Sequence, residues 1–356
     1  MAADDLTGPI DTGPIDTAAY RNSMMRRAMA NASTARLRSV PNPWVGAVLV
    51  DSYGVVYDGA THRPGGKHAE REALDAAGHA ARGATLFTTL EPCDHIGRTG
   101  PCTAAIIDAG VARVVIGVED PDINVSGQGI AALRDAGIDV VSGVEADAIG
   151  EQLAPYITHR TTGRPRVILK LAMTLDGFIA APDGTSQWIT GAEARRDVHR
   201  LRAESDAIIV GSGTVKADDP SLTVRDFTPP AADETLPPLD PWRIVLGASA
   251  ASLEPSSKTS PFEAWDGGIE DLLDELGARG KLQVMVEGGA AVAGSFHRAA
   301  LVDEYWLYMA PALMGGGDGR NAFSGDGAPT MADVQRGSFI DVVQLGDDIR
   351  LRYRSR

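Results

Sequence analysis

The sequence predicts two consecutive α/β domains, with a boundary between residues 163 and 164. Three observations support this prediction. The chain has 356 residues, and roughly 150 residues per domain gives about two domains. Strand-like apolar runs alternate with helix-like segments, a pattern that favours a mostly parallel sheet with helices on both faces. The alternation pauses at EQLAPYITHRTTGRP and starts again at residue 166.

The first 17 residues end in the repeat TGPIDTGPIDT, which is rich in Gly, Pro and Asp. Such a segment buries little apolar area, so we expect a disordered tail over 1–17. A helix is predicted over 18–36, because Met24, Met25, Ala28 and Met29 recur at helical spacing. Apolar runs and glycine stops give the other elements of the first domain (18–163): strands over 45–50, 54–60, 84–90, 113–118 and 138–143, and helices over 68–81, 102–110 and 129–137.

The second domain (164–356) opens with the strand-like run RVILKLAMT at 166–174. The stretch 226–241 is acidic and rich in proline, which predicts an exposed loop. A glycine pair lies between the last strand-like run before residue 290 and the last predicted helix. The remaining elements are predicted as strands over 207–211, 243–247, 282–289 and 303–311, and helices over 192–205 and 290–302.

The composition limits the classes of function. Asp and Glu number 48 against 33 Lys and Arg, a formal net charge of −15, and so acidic a chain repels a nucleic-acid backbone. No apolar run reaches the roughly 18 residues of a membrane helix, and the acidic N-terminus lacks the apolar core of a secretory signal. Two cysteines make no disulfide framework, which favours a reduced, cytoplasmic setting. We therefore expect a small-molecule substrate, with no nucleic acid and no membrane as partner.

His68, Cys93 and Cys102 form a candidate zinc site in the first domain. Imidazole and thiolate are preferred zinc ligands, and a catalytic site uses three of them plus water. Glu70 lies about 200° around a helix from His68, so it reaches the metal-bound water only from a loose first turn, where it would move protons. Each feature alone has a simpler interpretation, since Glu is common at helix starts and buried cysteines pack as small apolar groups. Together they favour zinc.

Longer stretches resemble a known family, the bifunctional deaminase–reductases of riboflavin biosynthesis. Four motifs resemble its deaminase half: PNPWVGAVLV (41–50), HAE (68–70), LEPCDHIGRTGPC (90–102) and VEDPD (118–122). Three resemble its reductase half: SQWITGAEARRD (186–197), GSGTVKADDPSLTVR (211–225) and VEGGAAVAG (286–294). They occur in the family's order along nearly the whole chain after the tail. Nucleobase and tRNA deaminases carry P-C-x-x-C, whereas here eight residues separate the cysteines.

The resemblance implies a three-layer cytidine-deaminase-like domain followed by a dihydrofolate-reductase-like α/β domain. It implies one Zn²⁺ per chain on His68, Cys93 and Cys102, with Glu70 as the proton donor. The first step would deaminate 2,5-diamino-6-ribosylamino-4(3H)-pyrimidinone 5′-phosphate by hydrolysis. The second would use NADPH to reduce the ribosyl group, giving 5-amino-6-ribitylamino-uracil 5′-phosphate. The family also suggests a homo-oligomer, either a dimer or a tetramer.

The resemblance further implies residues of the reductase site. The NADPH positions would be Ala172, Trp188, Thr214, Asp218, Gly289, Ala290, Ala291, Val292, Ala293, Gly294 and Ser295. A glycine pair before a helix lets backbone N–H groups approach a phosphate. The flat face of Trp188 suits a nucleotide ring, although a core aromatic is the simpler alternative.

Substrate contacts in the reductase half would be Ser186, Arg202, Leu222, Arg225 and Glu287. A guanidinium fork suits a substrate phosphate, whereas the simpler interpretation of Arg202 is a solvated helix face. Lys170 is a candidate to stabilise the opened sugar.

The chain departs from the family at TGPC (99–102), at Ala248, where a hydroxyl residue is common, and in a short 256–268 segment. These departures leave a deaminase with an impaired reductase as one alternative. A non-catalytic ligand-binding module is the other, and the intact His68, Glu70, Cys93 and Cys102 speak against it.

Overall fold

The computed structural model describes residues 17–95, 100–123, 125–229, 240–254 and 257–356. The predicted disordered tail therefore lies outside the described residues, except for Thr17, whose hydroxyl accepts the Tyr20 N–H at 3.1 Å and caps the first helix. Among the described residues, 17–162 form one compact unit together with Pro229, and 163–228 and 240–356 belong to a second. Among the described helices, none is long and apolar enough to cross a bilayer.

The first unit alternates helices and strands much as predicted. Its helices are α1 (Ala18–Ala35), α2 (Ala69–Ala77, continued by a 3₁₀ turn over Gly78–Ala81), α3 (Cys102–Ala109), α4 (Gln128–Asp135), α5 (Ala146–Gln152) and α6 (Ala154–Thr162). Its strands are β1 (Gly46–Val50), β2 (Val56–Ala60), β3 (Thr85–Leu90), β4 (Arg113–Val118) and β5 (Asp139–Ser142). Helices α5 and α6 were not predicted.

These five strands form one sheet in the order β2-β1-β3-β4-β5. The prediction of a mostly parallel sheet is wrong for half of it, because β1 runs antiparallel to both β2 and β3. Only the β3–β4 and β4–β5 pairs are parallel. The tight turn after Val50 makes β1 and β2 a hairpin, and a short turn can join only antiparallel strands.

Helices cover both faces of this sheet. A Cβ on Gly46 would lie 1.8 Å from the carbonyl oxygen of Ala28 in α1. A Cβ on Gly59 would lie 2.1 Å from that of Ala69 in α2. Gly59 pairs with Ala47, the neighbour of Gly46, and adjacent strand residues point to opposite faces. Helices α1 and α2 therefore lie on opposite faces, which makes this unit three-layered.

The second unit is built on a larger sheet. Its strands are β6 (Arg166–Thr174), β7 (Phe178–Ala180), β8 (Ala207–Gly211), β9 (Trp242–Leu246), β10 (Glu263–Trp265), β11 (Gln283–Val286), β12 (Glu304–Ala310), β13 (Arg320–Asn321), β14 (Gly337–Leu345) and β15 (Asp348–Ser355). Its helices are α7 (Ala192–Ala203), α8 (Ser212–Asp218), α9 (Ile269–Ala278) and α10 (Ala290–Arg298), with a 3₁₀ turn over Ala250–Ser252.

Eight strands form the main sheet in the order β10-β9-β8-β11-β6-β12-β15-β14, and β7 pairs with β13 apart from it. The strands from β10 to β12 are parallel, and the hairpin of β14 and β15 is antiparallel. One apolar cluster packs α9 and α10 against one face, and another packs α7 against the opposite face. In the described part of the predicted 226–241 loop, no helix or strand occurs until β9 begins.

Candidate active sites

His68 lies immediately before α2 rather than within it. Its backbone is extended, with φ −77° and ψ 161°, and it is the N-cap residue of the helix. The expectation that His68 opens the helix is therefore wrong by one residue, and the angle of about 200° between His68 and Glu70 does not apply, because it assumes two helical residues. The extended backbone turns the imidazole and the Glu70 carboxyl toward the same group of thiols.

The two cysteines approach His68 from separate segments. Cys93 is the third residue after β3, and Cys102 is the first residue of α3. Their sulfur atoms lie 3.6 Å and 3.2 Å from Nδ1 of His68, and one ligand atom from each residue lies within 4.8 Å of the others. One imidazole and two thiols at this spacing fit zinc, and a catalytic zinc site with three protein ligands takes water as its fourth.

Hydrogen bonding distinguishes the two thiols. Cys93 accepts a hydrogen bond from Cys102 and lies beside His68, and together these contacts lower the pKa of Cys93 to about 4. The same contact, with burial, raises the pKa of Cys102 far above its usual range. The hydrogen bond with Cys93 also raises the pKa of His68 to about 9. The cluster thus holds a Cys93 thiolate beside a His68 imidazolium. The thiolate is the form of cysteine that binds zinc, and zinc binding would displace the extra proton of the imidazolium.

Glu70 lies in the first turn of α2 and is 4% exposed. Burial raises the pKa of its carboxyl to about 7, and the nearby Cys93 adds to the shift, whereas His68 and a hydrogen bond with Cys102 oppose it. A carboxyl with a pKa near neutrality can both accept and donate a proton. Its contact with Cys102 puts that proton beside the metal site.

Glu91 is a buried carboxylate that the sequence reasoning missed. It is 3% exposed and accepts three backbone N–H groups, from Asp120 at 3.1 Å, Gly127 at 3.0 Å and Ile130 at 3.0 Å. The last two belong to the start of α4, so Glu91 ties the end of β3 to that helix. Because Cys93 is two residues further along, the same contacts fix the chain that carries a metal ligand.

We expect Glu91→Ala to destabilise the first unit by about 3 kcal/mol, because three buried N–H groups lose their acceptor. The measurement is urea unfolding at pH 7, together with the zinc affinity from chelator competition. Glu119→Ala is the matched control, since Glu119 is an exposed neighbour that accepts only the Ser126 hydroxyl in the described part. Equal midpoints for the two variants would contradict this role of Glu91.

In the second unit, Lys170, Arg202 and Glu287 form a buried charge cluster. Glu287 directly follows β11 and accepts two hydrogen bonds from Arg202, at 3.1 Å and 2.8 Å, and one from Lys170 at 3.1 Å. Their side chains are 11–14% exposed. Burial alone would raise the pKa of Glu287, but the two cations outweigh it and lower the pKa to about 2. Arg202 is thus partly buried beside Glu287 and does not lie on a solvated helix face.

The glycine pair predicted for the cofactor forms the turn between β11 and α10. Gly289 is the N-cap of α10, its N–H donates to the Thr214 hydroxyl at 3.1 Å, and no side chain caps the helix. A Cβ on Gly288 would lie 2.6 Å from the Val292 side chain, so this close turn needs glycine. Such a turn, followed by the uncapped start of a nine-residue helix, fits the phosphates of a dinucleotide.

The residues over 289–295 that were predicted to bind the cofactor differ in burial. Ala291 and Ser295 are exposed, whereas Ala293 is fully buried, and Gly294 lies under the loop at Ser324, whose carbonyl oxygen would be 2.2 Å from an added Cβ. Ala293 and Gly294 are therefore packing positions in this structure. Ala290, at the start of the helix, accepts the Ser324 N–H through its carbonyl group.

Trp188 is 69% exposed, so the core-aromatic alternative is wrong. The Arg195 guanidinium lies 4.7 Å from the centre of its ring. Trp188 and Ser186 line a pocket of about 130 Å³ together with Met314. The Ser186 hydroxyl also donates to Asp218 at 3.4 Å. These contacts bring two predicted cofactor positions and one predicted substrate position together.

The other predicted residues lie on the α7 side of the sheet or near it. Ala172 lies on β6, in the apolar layer beneath α7. Leu222 is 2% exposed with φ +52°, a conformation that a leucine rarely adopts. Arg225 is exposed, and its N–H donates to Nδ1 of His199 at 3.1 Å. Burial lowers the pKa of His199, and the positive charges of Arg202 and Arg225 lower it further.

Two families match consecutive parts of the chain. Residues 19–118 match the cytidine and deoxycytidylate deaminase zinc-binding region, and residues 165–351 match the RibD C-terminal domain. The chain is 44% identical over 298 residues to riboflavin biosynthesis protein RibD of Corynebacterium ammoniagenes, which covers 82% of this chain and 86% of that protein.

Solved structures agree over nearly the full length. Acinetobacter baumannii RibD (form 1) has a TM-score of 0.88 at 35% identity and covers 96% of this chain and 100% of that one. The diaminohydroxyphosphoribosylaminopyrimidine deaminase/5-amino-6-(5-phosphoribosylamino)uracil reductase of Thermotoga maritima has a TM-score of 0.83 at 30% identity, covering 94% and 99%. The chain therefore belongs to the RibD family of bifunctional riboflavin-biosynthesis enzymes, with a zinc-binding deaminase domain followed by an NADPH-dependent reductase domain.

Proposed function

We propose that the first unit deaminates 2,5-diamino-6-ribosylamino-4(3H)-pyrimidinone 5′-phosphate and that the second reduces the product to 5-amino-6-ribitylamino-uracil 5′-phosphate. The observation that carries the first step is the buried Glu70 carboxyl beside the His68–Cys93–Cys102 cluster. The one that carries the second is the Lys170–Glu287–Arg202 cluster at the carboxyl end of the sheet, where ligands of open α/β sheets bind.

In the deamination, His68, Cys93 and Cys102 would hold zinc, which lowers the pKa of a water molecule and so supplies the nucleophile. Glu70 would take one proton from that water and pass it to the ring nitrogen beside the carbon that bears the amine, while the oxygen adds to that carbon. Glu70 would then carry the second proton from the added oxygen to the leaving nitrogen, so that ammonia departs and a carbonyl group remains. Because the carboxyl ends as it began, one group serves both transfers.

In the reduction, bound NADPH would supply a hydride for C1′ of the opened sugar, and a proton from solvent would complete the neighbouring nitrogen. The exposed face of Trp188 and the Gly289 turn would hold the nicotinamide nucleotide. Glu287 and Arg202 would bind the ribosyl hydroxyls, and Lys170 would stabilise the opened sugar. Arg225, which is exposed, is better placed than Arg202 to bind a phosphate, because the guanidinium of Arg202 already pairs with Glu287.

Several further expectations belong to the same proposal. The substrate is a phosphorylated pyrimidine, the setting is cytoplasmic, and the enzyme is a homo-oligomer. The reductase domain is active rather than impaired, since Glu287, Lys170 and the uncapped α10 start are all in place.

The experiment combines elemental analysis with an NADPH-oxidation assay on the deaminated intermediate. We expect about one zinc ion per chain, as three protein ligands form one site, and NADPH turnover. Zinc without turnover would contradict the reductase half. Protein purified without chelators that holds no zinc would contradict the deaminase half.

A further inference from the structure

His199 is a buried histidine of the second unit, and it is not among the residues that the family resemblance implies. It lies in α7, is 8% exposed, and its Nδ1 accepts the Arg225 N–H at 3.1 Å. Because Nδ1 is the acceptor, the ring is neutral and carries its proton on Nε2. Burial, together with the positive charges of Arg202 and Arg225, lowers the pKa of His199 and so favours this neutral form at pH 7.

The segment that His199 contacts forms no helix or strand of its own. It runs over residues 222–226, and both of its ends have left-handed backbone, with φ +52° at Leu222 and +51° at Asp226. Residues other than glycine rarely adopt this conformation, and such a segment keeps its shape only where the surrounding contacts impose it. The position of Arg225 therefore depends on the neighbours of this segment.

Contacts from two directions hold the segment. On the α7 side, Arg202, one turn further along the helix than the imidazole, donates to the Thr223 carbonyl oxygen at 3.2 Å. From the other direction, the Asp240 carboxylate accepts the Val224 N–H at 2.8 Å. The imidazole extends this support by one residue, to the backbone of Arg225. Helix α7 thus fixes the residue whose guanidinium is proposed to bind the substrate phosphate.

The same imidazole lies near both groups that are proposed to bind the sugar phosphate. Its pKa is raised by the charge of Glu287 and lowered by those of Arg202 and Arg225, so all three charges act on one ring. Glu287 and Arg202 are proposed for the ribosyl hydroxyls, and Arg225 for the phosphate. A single short carbon chain joins the hydroxyls to the phosphate in the substrate, so their binding groups must be held at a fixed separation.

We infer that His199 is a positioning residue of the reductase, and that its neutral imidazole holds Arg225 where the guanidinium binds the substrate phosphate. Arg225 makes the contact with the ligand, because a guanidinium suits phosphate oxygens, and His199 acts only through it. This inference rests on the proposed reductase function and names a residue that sets the affinity of that site for the phosphorylated substrate.

The test measures binding of two ligands to the full-length chain, 5-amino-6-ribitylamino-uracil 5′-phosphate and the same compound without its phosphate. We expect His199→Leu to weaken the phosphorylated ligand by about tenfold, because a partly buried N–H loses its acceptor. The unphosphorylated ligand should change by less than about twofold. In the reduction, KM for the deaminated intermediate should rise while kcat stays within about twofold, since the phosphate is remote from C1′.

His199→Asn is the conservative variant, because its side-chain carbonyl oxygen can replace Nδ1 as the acceptor. It should bind the phosphorylated ligand within about threefold of wild type. His297→Leu is the matched control: Nδ1 of His297 contacts the Tyr305 hydroxyl at 2.7 Å, and α10, which carries it, packs on the opposite face of the sheet. It should leave the affinity for both ligands unchanged. In an Arg225→Met background, His199→Leu should add less than about twofold, because both residues act through one guanidinium.

Three binding results would overturn the inference: equal or no weakening of the two ligands in His199→Leu, an Asn variant as weak as the Leu variant, or full additivity with Arg225→Met. NMR of nitrogen-labelled histidine in the wild-type chain tests it without a Leu variant, and a His199 proton on Nδ1 at pH 7 would also overturn it. If the phosphorylated ligand binds through His199 but the chain oxidises no NADPH with the deaminated intermediate, the proposed reductase function fails and the positioning role stands.

Discussion

Replacing Glu70 with Gln is expected to lower the deamination rate by about 10³-fold or more while zinc remains bound. General acid–base catalysis contributes about 10²–10⁴-fold in enzymes, and here a single carboxyl would make both proton transfers. The amide has nearly the same shape and can still contact Cys102, so the metal ligands keep their geometry. It can neither take a proton from water nor return one to the leaving nitrogen.

The measurement is ammonia release from the diaminopyrimidine substrate, with zinc content and reductase turnover recorded on the same sample. Asp75→Asn is the matched control, because Asp75 is a partly exposed carboxylate on the same helix that pairs with Lys67 and Arg71. We expect the control to retain full activity. A fully active Glu70→Gln variant would refute the proposed mechanism, and loss of zinc from it would give Glu70 a role in metal binding instead.

The zinc site was predictable because its chemistry is local. Each ligand lies near the end of a helix or strand that hydrophobic periodicity identifies, and few residue types besides His and Cys bind zinc. Glu91 lies within the motif that carries Cys93, but its role was missed, because its partners Gly127 and Ile130 lie 36 and 39 residues away. A carboxylate that caps a distant helix leaves no periodic signal in the sequence.

The C-terminal hairpin was missed for a related reason. In β15, Arg350, Arg352 and Arg354 alternate with apolar residues, a period of two that indicates a strand. Three arginines in so short a run suggest a solvated tail, yet Arg350 is only 7% exposed. Its charge is matched by Asp197, 153 residues away, at 2.8 Å. Burial of arginine depends on such distant partners, and the sequence alone does not pair them.

The charge cluster of Lys170, Arg202 and Glu287 also depends on partners that the sequence alone does not pair. Glu287 was predicted as a substrate contact from its position after a strand, and Arg202 as a phosphate ligand. Their mutual pairing spans 85 residues and changes the role that the arginine can take. A guanidinium already bound to a carboxylate by two hydrogen bonds orients that carboxylate, whereas a free one would bind phosphate.

Replacing Glu287 with Gln should therefore impair both catalysis and stability in the second unit. The variant leaves Lys170 and Arg202 buried without their shared counter-ion, and breaking such a buried pair costs about 3–5 kcal/mol. We expect reductase turnover to fall by about 10²-fold or more, because the hydroxyl-binding carboxylate is gone and misplacement of a reacting group has that cost. Deamination by the first unit should continue, which makes it an internal measure of folded protein.

The pH dependence gives an independent check on the same variant. The pKa of Glu287 lies at about 2 in the folded chain, below its ordinary value of 4.5, so its ionised form is stabilised by folding. That contribution is complete above about pH 4.5 and is lost as the pH falls toward 2. In urea unfolding, the difference in free energy of unfolding between wild type and Glu287→Gln should therefore be larger at pH 7 than at pH 3.

Glu270→Gln is the control, because its side chain is 64% exposed, and it should follow wild type at both pH values. A gap between wild type and Glu287→Gln that is the same at both pH values would mean that the carboxylate is not held by Lys170 and Arg202 in solution. Its proposed role in orienting the ribosyl group would then lose its physical basis.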